Sequence, residues 1–219
     1  MNPKFWQSRW QEGRIGFNQS AVNPLLIKYW PDLQLPAGSR VFVPLCGKSI
    51  DMQWLAAQGY DVIGVELIES AIQAFFTEQN IVPTVHEHTT TSTFKYYQGQ
   101  LSGQTITLWV ADIFALTADD IGTIDAVYDK AALIALPADM RVAYSEQIHK
   151  ISGHAPQLLI TLNYDQSKKN GPPFSISDEQ VQQYYGEHYQ ISELASEPTS
   201  IGSTSDLTVT EHVWLLNPN

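Results

Sequence analysis

The chain has 219 residues, of which 43% are hydrophobic and 11% aromatic, a composition typical of a folded domain with a substantial core. Its 12 basic and 23 acidic side chains give a net charge of −11. That charge argues against nucleic acid or an anionic membrane as a partner, because both need clustered lysine and arginine. Cys46 is the one cysteine, so no intramolecular disulfide can form, and a reducing compartment is expected. With no signal-peptide pattern over residues 1–10 and no apolar run of roughly 20 residues, the sequence predicts a soluble cytoplasmic protein.

The first elements along the chain alternate between strand and helix. Residues 1–17 are rich in tryptophan and basic side chains, and we expect their aromatic rings to dock over the main body. The elements predicted next are a helix over 23–30, a strand over 40–45 (RVFVPL), a helix over 50–58 closed by Gly59, a strand over 61–65 (DVIGV) and a helix over 70–79. This β-α-β-α pattern predicts a parallel sheet with right-handed crossovers.

The second half of the chain contains further strand patterns separated by turns and helices. The predicted elements are a hairpin of 94–98 with 104–110, strands over 126–128 and 157–163, helices over 139–151 and 178–185, and a terminal antiparallel hairpin of 189–194 with 207–216. Residues 105–110 are also predicted to supply a strand of the main sheet. No linker divides the chain, so residues 1–219 are expected to form a single domain.

Ligands of open α/β sheets bind beyond the carboxyl ends of the strands, which makes the residues just after each strand the candidates for a site. Four such places stand out: residues 45–48, Glu66, residues 112–113 and residues 129–130. Because they follow four different strands, they are expected to meet at one edge of the sheet.

The turn after the first strand has the features of a nucleoside site. Gly47 has no Cβ, so a ligand can approach the backbone closely, and the following helix offers free N–H groups for a carboxylate. Glu66 follows Gly47 by 19 positions. That is close to the spacing of about 20 at which an acid after the second strand meets a ribose diol. The alternative is that Glu66 only caps the next helix.

Two phosphate-binding motifs are excluded at this turn. Gly47-Lys48-Ser49 resembles the end of a P-loop, but that motif needs a glycine where the chain has Phe42. The dinucleotide motif G-x-G-x-x-G fails as well, because Gly47 is the lone glycine between residues 40 and 58. A nucleoside is therefore expected here without a pyrophosphate.

Two other groups of side chains could be reactive, but a structural role is the simpler interpretation of each. Cys46 stands at a helix N-terminus, which favours a thiolate, but a small packed side chain is the simpler interpretation. His86-Glu87-His88 suggests a metal site, yet no third ligand is identifiable in the sequence, so a solvated surface pair is preferred and no metal is predicted.

Several longer motifs carry a family resemblance. They are RVFVPLCGKSIDMQWLAAQGYDVIGVE over 40–66, FW-x-x-x-W and IGF before it, AVYDKAALIALP over 126–137 and GPPF over 171–174. With them the chain resembles the bacterial thiopurine S-methyltransferases, class I S-adenosylmethionine-dependent enzymes, over nearly its whole length.

The resemblance implies a fold, a cofactor and its contacts. The fold would be an α/β Rossmann-like sheet of about seven mostly parallel strands with helices on both faces and the last strand antiparallel. Residues 1–30 would form a lid over the bound S-adenosylmethionine. The implied cofactor contacts in the lid are Trp10 and Phe17, and the lid also holds Trp6. The other implied contacts are Leu45, Glu66, Lys130 and Ile113, of which Ile113 would border the adenine. Gly47 of the turn is a further predicted contact.

The resemblance also implies methyl transfer to the sulfur of an aromatic or heterocyclic thiol, by a monomeric enzyme with a small-molecule partner. The family usually has arginine after Asp129, where this chain has Lys130, and often another in the loop that here spans residues 200–205. Lys130 would favour the acceptor thiolate or would pair with Asp129 or another carboxylate. Tyr128, Asp129 and the GPPF loop would wall the acceptor pocket. The alternatives are another soft acceptor, such as a selenium or tellurium oxyanion or a small thiol, and a domain that binds without transferring methyl.

Overall fold

The computed structural model describes residues 3–87 and 94–219. Its strands, numbered along the chain, are β1 (Arg40–Val43), β2 (Asp61–Glu66), β3 (Thr84–Glu87), β4 (Lys95–Leu101), β5 (Gln104–Val110), β6 (Ala126–Lys130), β7 (Gln157–Asn163), β8 (Tyr189–Thr204) and β9 (Leu207–Pro218). Its α-helices are α1 (Pro3–Gln11), α2 (Pro24–Tyr29), α3 (Asp51–Ala57), α4 (Glu69–Glu78), α5 (Ala118–Ile121), α6 (Ala138–Ile151) and α7 (Asp178–Tyr185).

The described strands form one sheet in the order β3-β4-β5-β2-β1-β6-β7-β9-β8. The five central strands, from β5 to β7 in this order, are parallel to one another, as the alternation of strands and helices predicts. Because these strands run the same way, the residues after β1, β2, β6 and β7 share one edge of the sheet.

Both flanks of the sheet are antiparallel. On one side β9 pairs with β7 and β8, so the prediction of an antiparallel last strand is confirmed. On the other side β4 and β5 form the predicted hairpin, and β3 pairs with β4 at the edge. The predicted count of seven strands is wrong, since the described residues contain nine. The missed strand β3 is short and mostly exposed, and it lacks the apolar alternation that identifies a half-buried strand.

Helices cover both faces of the sheet, as expected. Alternate residues of a strand point to opposite sides, so Phe42 and Val41 of β1 belong to different apolar clusters. One cluster packs the sheet against α6 and α7, and the other packs it against α3 and α4. Within the described ranges, no helix combines the length and the apolar character needed to cross a bilayer.

Cys46 is packed into the core beneath β2. Its side chain is 5% exposed, and burial, followed by the nearby charge of Glu66, raises the pKa of the thiol well above its ordinary value. A Cβ added at Gly64 would lie 2.7 Å from Cys46 Sγ and 2.7 Å from a methyl group of Leu108. The environment is that of a small packed residue, because burial disfavours the reactive thiolate.

Gly64→Ala is expected to lower the free energy of unfolding by about 1–3 kcal/mol, because the new methyl group overlaps two neighbours in a closely packed layer. Urea denaturation followed by circular dichroism measures the change. Gly16→Ala is the matched control, since a Cβ there meets nothing within 4 Å. Equal stability of the two variants would contradict the close packing of Gly64 on Cys46.

Candidate active site

A cavity of about 310 Å³ lies at the carboxyl ends of the parallel strands. Its walls come from the N-terminal segment, from the ends of the central strands and from loops on the β9 side. The lining residues are Trp6, Arg9, Trp10, Arg14, Gly16, Phe17, Gln19, Leu45, Glu66, Lys130, Ala131, Ile134, Ala135, Ile160, Leu162, Pro172, Pro173, Ile201, Gly202 and Glu211. Five of the residues named from the sequence therefore share one cavity: Trp10, Phe17, Leu45, Glu66 and Lys130.

The turn after β1 is held against the end of β2 by backbone and side-chain hydrogen bonds. Cys46 N donates to Val65 O at 2.9 Å, and Gly47 N donates to Glu66 Oε2 at 3.0 Å. Leu45 and Gly47 both have left-handed backbone conformations, with φ of 46° and 53°. Since a non-glycine residue rarely adopts positive φ, this turn holds Leu45 in an unusual conformation, at the cavity wall.

Glu66 is a buried carboxylate with backbone partners on both oxygens. It is 8% exposed, and its Oε1 accepts the N–H of Ile68, the residue before α4, at 2.8 Å. Burial raises its pKa to about 7, although the N–H groups of Ile68 and Gly47 act in the opposite direction. The capping alternative is thus present in part, but each carboxylate oxygen keeps a further lone pair for a ligand in the cavity.

The N-terminal segment lies over the same turn. The indole of Trp10 covers Gly47, because a Cβ added there would lie 3.4 Å from Trp10 Cζ2, at van der Waals contact. Phe17 makes edge-to-face contacts with Trp10 and Trp6, with ring centroids 5.9 and 5.7 Å apart. The aromatic side chains of α1 and the following loop therefore form the roof of the cavity.

Two arginines of this roof were not identified from the sequence. Arg9 lies over the ring of Phe5 at 5.0 Å, and Arg14 pairs with Glu12 at 2.5 Å. Both side chains also line the cavity. Their only sequence signal was the basic character of the segment, which does not indicate where the charges point.

Lys130 forms an ion pair with Asp51, and not with Asp129. Its Nζ lies 3.5 Å from Asp51 Oδ2, and the lysine side chain is 13% exposed. Asp51 also accepts hydrogen bonds from the hydroxyl of Tyr128 at 2.9 Å and from Asn23 N at 2.8 Å. Lys130 therefore lies between a buried carboxylate and the cavity.

Four other predicted residues do not line the cavity: Gly47, which lies under the indole of Trp10, and Asp129, Tyr128 and Ile113. Asp129 accepts a hydrogen bond from the Tyr144 hydroxyl at 2.7 Å, and burial raises its pKa to about 6. Tyr128 is buried beside Trp30, and Ile113 is fully buried in the core next to the site. Asp129, Tyr128 and Ile113 all lie beneath the surface of the site, because successive side chains at the end of a strand point alternately to the cavity and to the core. The GPPF loop does reach the cavity, through Pro172 and Pro173.

The proposed surface histidine pair falls partly outside the described residues, since His88 is not among them. His86 lies on edge strand β3 with its ring stacked on Tyr96, 4.7 Å between centroids. Among residues 3–87 and 94–219, no group of three His, Cys, Asp or Glu side chains is placed to hold a metal ion.

The residues of the cavity fit S-adenosylmethionine. A desolvated carboxylate at the end of the second strand suits a ribose diol, which offers two hydroxyl donors. The roof provides aromatic surface for a nucleoside, and two arginines suit the carboxylate of an amino-acid moiety.

The family model described as thiopurine S-methyltransferase matches residues 1–216 of this sequence. The chain belongs to the thiopurine S-methyltransferase family. The resemblance seen in the motifs is thereby confirmed, and with it S-adenosylmethionine as the cofactor.

Similar proteins match this chain over nearly its whole length. A thiopurine S-methyltransferase of Psychrobacter cryohalolentis is 63% identical, with 99% of each chain covered. One of Teredinibacter turnerae is 44% identical, with 100% of this chain and 99% of the relative covered. The crystal structure of a Burkholderia thailandensis 1,6-didemethyltoxoflavin N1-methyltransferase, bound to 1,6-didemethyltoxoflavin and S-adenosylhomocysteine, matches with a TM-score of 0.64 at 13% identity, covering 98% of this chain and 87% of that one. This last likeness concerns the fold, and it confirms the predicted Rossmann-like class.

Proposed function

We propose that this chain transfers the methyl group of S-adenosylmethionine to the sulfur of an aromatic or heterocyclic thiol. The observation that carries the proposal is the single cavity in which the buried carboxylate of Glu66, the aromatic roof and the cation of Lys130 face one another. The family membership supports the same reaction, since relatives that align over the whole chain are named for it.

The cofactor half of the cavity lies around β1 and β2. Glu66 would bind the ribose hydroxyls, the backbone at Leu45–Gly47 would contact the nucleoside, and Trp10 and Phe17 would cover it. When bound, the cofactor supplies a methyl group already activated on a sulfonium. The protein mainly has to hold the acceptor sulfur in line with that methyl group, and such positioning contributes on the order of 7–11 kcal/mol.

The acceptor half lies beyond Lys130, between the GPPF loop and the last strands. Lys130 stabilises the negative charge of an acceptor thiolate, because a cation nearby lowers the pKa of a thiol. Pro172 and Pro173 provide apolar walls for a flat ring.

A second candidate acceptor class follows from residues 200–205, which were expected to form a loop and instead lie mostly at the irregular end of β8. Ile201 and Gly202 line the cavity where the family often carries an arginine, so this wall has no arginine side chain, although Lys169 Nζ donates to Gly202 O at 3.4 Å. The observation favours a smaller soft acceptor, such as a selenium or tellurium oxyanion or a small thiol.

The test is incubation of the protein with radiolabelled S-adenosylmethionine and a panel of acceptors: a thiopurine, an ionised aryl thiol, a small aliphatic thiol, selenite and tellurite. We expect label in the two aromatic thiols. Transfer to selenite or the aliphatic thiol alone would replace the acceptor class. Cofactor binding by calorimetry without transfer to any acceptor would show a binding domain instead.

The N-terminal lid is a separate prediction of this function. Helix α1 buries none of its residues, so a ligand beneath Trp10 should order it. We expect S-adenosylmethionine to slow tryptic cleavage at Arg9 and Arg14 in the wild type, and Trp10→Ala to weaken cofactor binding about tenfold and to abolish this protection. Trp54→Ala, which alters a tryptophan of α3 away from the cavity, is the control. Equal cleavage rates with and without cofactor would contradict the lid.

A further inference from the structure

Glu211 is a second buried carboxylate of the cavity, in addition to Glu66. It lies on β9, is 9% exposed and lines the cavity. Strands β1, β6 and β7 separate β9 from β2, and neighbouring strands are about 4.8 Å apart, so the strands of Glu66 and Glu211 are about 19 Å apart. Glu211 therefore faces the acceptor half and not the ribose.

The strand register points Glu211 to the same side of the sheet as Lys130. Lys130 pairs with Ile160, and Glu211 pairs with Leu162, two residues further along β7. Since paired residues and residues two apart share a face, the lysine and the glutamate flank the same part of the cavity. One offers positive charge to an acceptor, and the other offers a hydrogen-bond acceptor.

The surroundings of Glu211 leave its carboxylate available. Among the described residues, none forms an ion pair with it. Burial raises its pKa, whereas the charge of Lys130 and hydrogen bonds from the side chains of Thr199 and Asn23 lower it, and the charge of Glu197 raises it. A carboxylate whose pKa is raised is a stronger base once it is ionised.

We propose that Glu211 is a catalytic residue for acceptors that carry a ring N–H next to the carbon bearing the sulfur. Its carboxylate accepts a hydrogen bond from that N–H and takes the proton as the sulfur is methylated. The inference rests on the proposed function and identifies a substrate class within it: heteroaromatic thiones, as distinct from simple aryl thiols.

The step balances without any further reactant. In the thione form, a sulfur lone pair of the acceptor forms the new bond to the methyl carbon, and the electron pair of the broken bond stays on the sulfur of the cofactor as a neutral thioether. The acceptor loses its ring N–H proton to Glu211, and the electrons of that bond restore the aromatic ring. Glu211 then releases the proton to water. An aryl thiolate has no such proton to lose.

The experiment compares Glu211→Gln with the wild type on two acceptors, 6-mercaptopurine, which carries the ring N–H, and 5-thio-2-nitrobenzoate, which is ionised at neutral pH and has none. Glutamine keeps the size and a hydrogen-bond acceptor but cannot take the proton. We expect the ratio of kcat/KM for 6-mercaptopurine to that for 5-thio-2-nitrobenzoate to fall at least 30-fold. The pH profile of kcat/KM for 6-mercaptopurine should also change in the variant, to one set by ionisation of the acceptor alone. The control is Glu146→Gln, an exposed acid of α6 that lies 3.5 Å from His188 and does not line the cavity, and it should leave the ratio unchanged.

A second readout separates binding from chemistry. The affinity of 6-mercaptopurine, titrated by its absorbance in the presence of S-adenosylhomocysteine, should change less than threefold in Glu211→Gln. An equal loss of kcat/KM on both acceptors, or an unchanged ratio, would overturn the catalytic role while leaving the proposed function intact. Wild-type transfer to the aryl thiolate alone would overturn the thione class. Wild-type transfer to neither acceptor would overturn the proposed function itself.

Discussion

Glu66→Ala is expected to weaken S-adenosylmethionine binding by more than tenfold, measured by calorimetry. A charge-assisted hydrogen bond contributes about 1.5–3 kcal/mol, and the diol would lose its partner in this variant. Glu69→Gln is the matched control. It alters a carboxylate only three positions away, which pairs with Lys95 at 2.5 Å and does not line the cavity. An unchanged affinity of the alanine variant would remove Glu66 from the ribose site.

The raised pKa of Glu66 predicts how the stability of the fold and the affinity for the cofactor change with pH. Burial raises the pKa of Glu66 from 4.5 to about 7, so the folded ligand-free chain holds a proton there that the unfolded chain releases. This contribution to stability is complete below about pH 4.5 and is lost as the pH rises to about 7. The free energy of unfolding of the wild type, relative to Glu66→Gln, should therefore fall by up to about 3 kcal/mol over that range. Cofactor affinity should rise over the same range, since the ribose needs the ionised carboxylate, and Glu66→Gln should not show that rise.

Lys130→Met is expected to lower both turnover and stability. Removing the cation near the acceptor sulfur should raise the pKa of a bound thiol by about one unit, which lowers kcat/KM about tenfold for thiols that are only partly ionised. The variant also leaves Asp51 buried without its cation, and breaking a buried pair costs about 3–5 kcal/mol. Steady-state kinetics against pH and thermal unfolding measure the two effects.

Two further variants separate the effects of Lys130. Lys130→Arg keeps the charge and should retain most of the turnover. In the double variant Lys130→Met with Asp51→Asn, the uncompensated charge is gone, so stability should recover while turnover on the partly ionised thiol stays low. Recovery of both would assign Lys130 to the structure alone, and a pH profile unchanged in Lys130→Met would end the electrostatic role.

The centre of the fold was readable from the sequence because local and tertiary signals agree there. Strands β1 and β2 are continuous apolar runs, and Gly59 closes the helix between them. Helix α1 gave no such signal, since it buries no residue in the core. Its place over Gly47 was available only through the family resemblance, because no local pattern says where a detached aromatic segment docks.

The residues of the candidate site were likewise predictable from the sequence only where local patterns place them. Leu45, Gly47 and Glu66 follow from strand ends and spacing, which are local properties. The partner of Lys130 does not, because Asp51 reaches it from a neighbouring helix, and the sequence neighbour Asp129 turns into the core.

Glu211 was missed although a signal existed. Leu207, Val209 and Val213 of β9 are buried at alternate positions, and Glu211 occupies the inward position between them. An acid in an apolar alternation indicates a buried polar site, but identifying its ligand required the sheet order that brings β9 beside β7.

The seclusion of Cys46 makes the chain suited to site-specific labelling. With its one native thiol packed under Gly64 and shielded from reagents, a cysteine introduced on the exposed side of α1, for example Gln7→Cys, would be the preferred target of a maleimide dye. The emission of that dye, quenched to a degree set by its distance from the tryptophans of the roof, would report opening and closing of the N-terminal segment in real time, one turnover after another.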